Sequence, residues 1–227
     1  MDKHGTLRST HGFALSEAQP KPLIPPLGEI NLRCIELLVS AARLQGHDHD
    51  ATNLVGALHD RLVTLTTQAQ QKMACYPFIL VDLKFQDRQW WQTLIGHPHQ
   101  AVRHAIWRRY FAKSTAIKLT RATLMLAWHS AQTHPELATV TLGMDLQLTA
   151  LIGSLSLHQL DQIAEHQHPH LVPRWEDRPI VWKHLLDHAG NADLDADDDF
   201  TLHGLQLTVG EHLDSHPQRP ATAKRVR

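Results

Sequence analysis

Two cysteines, Cys34 and Cys75, are all that this chain of 227 residues has. That number cannot build a disulfide framework and fits a reducing cytoplasm. Long apolar runs are also missing: Phe78–Val81 (FILV) is stopped by Asp82, well short of a membrane span. The opening residues, MDKHGTLRSTHGF, lack an apolar stretch of the kind a secretory signal needs. Neither sign of charge is in excess, since 22 Lys plus Arg stand against 23 Asp plus Glu, so bulk charge does not announce a polyanionic partner. No phosphate-cradling glycine loop, dinucleotide fingerprint or nucleophile elbow occurs, and no enzymatic activity or cofactor is expected. The aspartates of Asp193–Asp199 lack the glycine and terminal glutamate of a calcium loop.

What is present reads as helices. Apolar residues make up 42% of the chain, enough for a proper core at this length. Residues 1–28, with Pro20, Pro22, Pro25 and Pro26 and little periodicity, are expected to form a flexible tail. Ile30, Cys34, Leu37, Leu38 and Ala41 then share one face of a first helix. Leu54, Leu58, Leu62 and Leu65 mark a second, ending before Pro77. Phe78–Ile95 fits a short strand or a helix; the helix is favoured because no second convincing strand lies nearby. Helices are predicted over Gln100–Phe111 and Lys113–Gln132, the latter apolar all round at Leu124–Trp128 and so buried. A last helix is expected over Ile180–His188. Beyond Gly190 come an acidic linker, a piece (Phe200–Val209) whose alternation allows a strand, and a basic tail ending PQRPATAKRVR. The expected architecture is an all-α multi-helix bundle over 29–190 with flexible tails at 1–28 and 191–227.

The most informative stretch is Pro135–Leu171, within a unit spanning about 134–168. Ala138, Thr139 and Leu142 lie on one short helix, Gly143 and Met144 form a bend, and Asp145 caps a second helix carrying Leu148, Leu151 and Ile152. Glycine takes φ > 0 without a Cβ penalty, and aspartate accepts from an orphan amide at a helix start. Ser156 and Gln159 have capping-box spacing for a third helix. Two short helices joined in this way form a helix-turn-helix-like unit.

The run LGMDLQLTALIGSLSLHQLDQIAEH resembles the C-terminal half of the D subunit of the bacterial flagellar master regulator (FlhD). The helix INLRCIELLVSAARL, Ile30–Leu44, resembles the first helix of both subunits of that regulator. The longer layout is similar to FlhD-like proteins of integrating conjugative elements. The resemblance implies a cytoplasmic transcriptional activator that works as a homo- or hetero-oligomer, with an FlhC-like partner and RNA polymerase, at promoters of a mobile element. This chain is considerably longer than the flagellar subunit, and it has none of the four clustered cysteines that hold zinc in the C subunit.

Charge clustering supplies the candidate interface. Ala101–Arg121 holds Arg103, Arg108, Arg109, Lys113, Lys118 and Arg121 with no acid, interleaved with Trp107, Tyr110 and Phe111. Such a surface neutralises phosphates of double-stranded DNA and releases counterions. On the second helix of the unit only Gln147 and Thr149 offer hydrogen bonds to a base edge, and no Arg or Lys is present for guanine. The competing expectation is a protein–protein adaptor with no nucleic-acid contact, docking through Leu155–Leu160 and Trp175–Trp182. Nineteen histidines include His47 with His49, His97 with His99, the set His166, His168 and His170, and His184 with His188. None completes a ligand set, so no metal site is expected; the histidines should instead raise the net charge below about pH 6.5.

Overall fold

The computed structural model describes residues 24–45, 53–96, 110–190, 202 and 204–208. In chain order its elements are α1 (Pro25–Gln45), α2 (Leu54–Ala57), α3 (His59–Thr64), α4 (Thr67–Ala74), β1 (Val81–Asp82), α5 (Arg88–Gly96), α6 (Lys113–Thr133), α7 (Pro135–Leu142), α8 (Leu146–Gly153), α9 (Leu157–Gln167), a 3-10 turn (His168–His170), β2 (Val172–Pro173) and α10 (Pro179–Gly190). Among the described residues the fold is all-α apart from one two-residue antiparallel pairing, Val81 opposite Pro173 and Asp82 opposite Val172.

Helix α1 begins inside the expected tail. Prolines are tolerated in a first turn, where the amide would be unpaired in any case. Leu27 is already buried there. Ile30, Cys34, Ile35, Leu38, Val39 and Ala42 continue that buried stripe at helical spacing. At about 1.5–3 kcal/mol per large apolar side chain, this stripe is a principal source of stability. It packs against α3, α4 and α6.

The expected second helix is three. Leu54, Leu58, Leu62 and Leu65 are all buried as predicted, but the chain breaks at Leu58 and again at Leu65–Thr66. Asn53 accepts from the Gly56 amide at 2.9 Å, and Thr66 accepts from the Ala69 amide at 3.2 Å. These side-chain caps let short helices start where a continuous one would otherwise run.

The segment after Pro77 corrects the expectation of a helix as far as Asp87; the helix holds only from Arg88 on, in α5. Phe78, Ile79, Leu80, Val81, Leu83 and Phe85 are all fully buried in an extended or turning chain. Its backbone partners come from far away. The Ile79 amide donates to Thr141 O at 3.0 Å, and the Arg174 amide donates to Leu80 O at 2.9 Å. Asn31, buried on α1, donates to Phe78 O at 2.9 Å and accepts from the Leu80 amide at 2.8 Å. Asp82 then accepts from the amides of Lys84 and Phe85, and Asp87 from that of Trp90, which turns the chain into α5.

Helix α6 follows the predicted range and touches α1, α7, α8 and α9. Leu124, Leu126 and Ala127 are buried and the Trp128 indole donates to Leu155 O at 2.8 Å, whereas Met125 is exposed. The predicted helix over Gln100–Phe111 lies outside the described residues up to 109, and Tyr110–Ala112 is not helical. Residues 204–208 are helical rather than a strand, with Gly204 against Phe78.

Candidate nucleic-acid interface

Gly143 sets the angle between α7 and α8. Its φ of 71° is left-handed, and its amide donates to Thr139 O at 3.0 Å. A Cβ there would collide with the Arg174 guanidinium. Arg174 is itself buried and donates through Nη1 to Leu142 O at 3.1 Å, at the carbonyl end of α7 where a cation is favoured. Asp145 caps α8 by accepting from the Leu148 amide. Ser156 and Gln159 form the full capping box of α9: the Ser156 amide donates to Gln159 Oε1 at 2.9 Å and the Gln159 amide to Ser156 Oγ at 3.3 Å. Three short helices in a fixed relation result, as the spacing of caps and glycine predicts.

The described candidate residues differ in their surroundings. Arg103, Arg108 and Arg109 lie outside the described residues. Lys113 and Lys118 are exposed on α6. Lys118 rims an apolar groove of about 550 Å³ between α1 and α6, together with Arg33, Glu29 and His129. Arg121 is engaged instead in ion pairs, Nε to Asp161 at 2.7 Å and Nη2 to Glu165 at 3.1 Å. The hydrogen bond to Asp161 raises its pKa further. The two carboxylates come from α9, so a stretch free of acid in sequence is not free of acid in space. Arg121 ties α6 to α9, so its charge is already partnered within the fold.

On α8 the two expected readers part company. Thr149 is only 1% exposed and its hydroxyl donates to Asp145 O at 2.8 Å, so it has no edge to offer a base. This removes Thr149 from the reading surface. Its hydroxyl on the second helix of the unit suggested a reader, but i−4 back-bonding inside the unit satisfies it. Gln147 is exposed, and its Oε1 accepts from Arg88 Nη1. The same nitrogen lies 3.4 Å from Asp145 Oδ2. Arg88 belongs to α5 and carries no local signal in sequence; only the packing of α5 on α8 brings it there. Leu146 and Ala150 are exposed beside Gln147.

Other chemistry-bearing groups are held structurally. Burial pushes the thiols of both Cys34 and Cys75 up, which disfavours reactive thiolate. His188 Nδ1 lies 3.1 Å from the Tyr76 hydroxyl, whereas His184 is exposed. His166 and His168 turn Nδ1 to backbone carbonyls of α9, those of Gln162 and Glu165. His170 stacks edge-on against Trp90 at 5.1 Å. Among the described residues no three His, Cys, Asp or Glu side chains converge as a metal site would need; His47, His49, His97 and His99 lie outside them. Trp175 and Trp182 are buried, the first edge-on to Phe78 at 5.8 Å and the second donating to Arg174 O, so they form an internal clamp rather than a docking surface. No helix among the described residues is long and apolar enough to cross a membrane. No protein-family model matches this chain, and no curated protein or solved structure matches it either.

Proposed function

We propose that this chain is a cytoplasmic DNA-binding transcriptional regulator that acts with an unlike partner. The observation that carries it is the α7–α8 pair, bent at a left-handed Gly143 and capped by Asp145, with Gln147 and Arg88 at the exposed start of α8. A short helix presented by its N-terminal end is the geometry with which helix-turn-helix proteins enter a major groove. Lys113 and Lys118 add exposed cations, and Arg108 and Arg109 adjoin them in sequence. Few base-reading side chains suit a heteromeric activator in which the partner supplies part of the readout. The FlhD-like motif supports the same reading, with an FlhC-like partner, RNA polymerase, and promoters of an integrating conjugative element.

The test is retention of the full chain on duplex DNA across a salt series. Affinity is expected to fall steeply with salt, by roughly 0.9 in log–log slope for each phosphate neutralised. Lys113→Ala with Lys118→Ala, and separately Arg108→Ala with Arg109→Ala, should weaken binding and shallow that slope, while Arg121→Ala should leave it unchanged. The adaptor reading is favoured by one feature, the exposure of Leu146 and Leu157 at 65% and 56% on α8 and α9. Absent or salt-insensitive DNA binding would decide for the adaptor.

A further inference from the structure

We infer that Arg88 of α5 is the residue with which this chain reads a base edge, and that the base is guanine; this rests on the DNA-binding reading. Helix α8 carries no arginine or lysine of its own, and Thr149 is buried. Arg88 fills that vacancy from outside the helix-turn-helix unit. Its side chain is 36% exposed, and it is fastened to the start of α8 at two points, Gln147 Oε1 and Asp145 Oδ2. Both contacts leave from Nη1. The Nε–Nη2 edge of the guanidinium therefore keeps a parallel pair of donors.

Such a pair matches the two acceptors, O6 and N7, that guanine presents in the major groove. Adenine sets an amino donor beside its N7, and cytosine offers a donor, so both oppose the fork. Anchoring through Nη1 also restricts a side chain that would otherwise lose much rotamer freedom on binding. Gln147 changes role accordingly. With Oε1 already accepting from Arg88, it orients the arginine rather than pairing bidentately with adenine. Leu146, exposed at the start of α8, and Ala150, exposed one turn further on, suit a thymine methyl next to the guanine.

Selection of duplexes from a random 20-base-pair library by the full chain tests this, with Arg88→Ala, Arg88→Lys and Gln147→Ala beside the wild type. The wild type should enrich a motif containing an invariant guanine. Arg88→Ala should lose that preference and bind the selected duplex at least about fivefold more weakly. Arg88→Lys keeps the charge but not the fork, so it should relax the guanine while leaving the salt slope unchanged. Gln147→Ala should weaken the preference partially. Thermal melts check that the variants fold, and Arg88→Lys remains informative where Arg88→Ala does not. A wild type that binds duplex without selecting guanine, or Arg88 variants that select the wild-type motif, overturns the inference and leaves the DNA reading standing. A wild type that fails to retain duplex even at low salt overturns both.

Discussion

Gly143 is constrained on two counts at once. Its backbone is left-handed, where any L side chain is strained by about 1–2 kcal/mol. Its missing Cβ leaves room for the Arg174 guanidinium, which is buried and serves the last carbonyl of α7, that of Leu142. Gly143→Ala should therefore destabilise the protein by about 2 kcal/mol or more, the strain of φ being compounded by displacement of Arg174. Urea unfolding of the variant gives the number; a loss of only a few tenths would mean that the turn relaxes freely. Thr149 shows the opposite lesson at the same scale. A polar side chain on a candidate recognition helix is not a reader when its hydroxyl is already bonded to Asp145 O.

At the scale of elements, the extended Phe78–Asp82 segment is held chiefly by side-chain and backbone groups of other elements. Asn31 bridges it from within α1, donating to Phe78 O and accepting from the Leu80 amide in a fully buried setting. Removing the amide leaves a buried carbonyl and a buried N–H unpaired, each worth about 1–3 kcal/mol. Asn31→Ala is expected to lose about 3 kcal/mol, measured as a shift in the denaturant midpoint at unchanged slope. A near-neutral result would show that the segment repairs its own hydrogen bonds. The short helices were more readable than this strand. Asp145, Ser156 with Gln159, Pro135 and Gly143 are local punctuation, and each acts in the structure as its residue type predicts. Nothing local marks the partners of Leu80, because they lie at Asn31 and Arg174.

The molecule as a whole couples folding to pH through the junction of α5 with the turn after α9. His170 lies against Trp90, and Lys84 Nζ stands over the same Trp90 ring, 5.3 Å from its centroid. Burial, and then the Lys84 charge, lower the His170 pKa from 6.5 to about 4. The unfolded chain takes up that proton near pH 6.5, while the folded chain does so only near pH 4. Between these values the unfolded state holds more protons, so stability falls as pH falls through the window. His168 is shifted in the same direction by burial and adds to the trend. His170→Phe keeps a ring against Trp90 and removes the titration. Its urea midpoint should change less between pH 7 and pH 5 than that of the wild type; equal changes would place the acid sensitivity elsewhere.

The sequence by itself determined the helical class, part of the buried face of α1 (Ile30, Cys34 and Leu38, with Leu37 and Ala41 only partly buried), the extent of α6, and the caps and bend of α7–α9. These depend on residues within one or two turns of each other, so periodicity and capping chemistry carry them. Tertiary structure alone decided that Phe78–Asp82 is extended, that Arg121 spends its charge on Asp161 and Glu165, and that Arg88 sits at the head of α8. Each of those depends on groups 40 or more residues apart along the chain. Hydrogen bonds and ion pairs act over a few ångströms, and only packing determines which distant groups come within that reach.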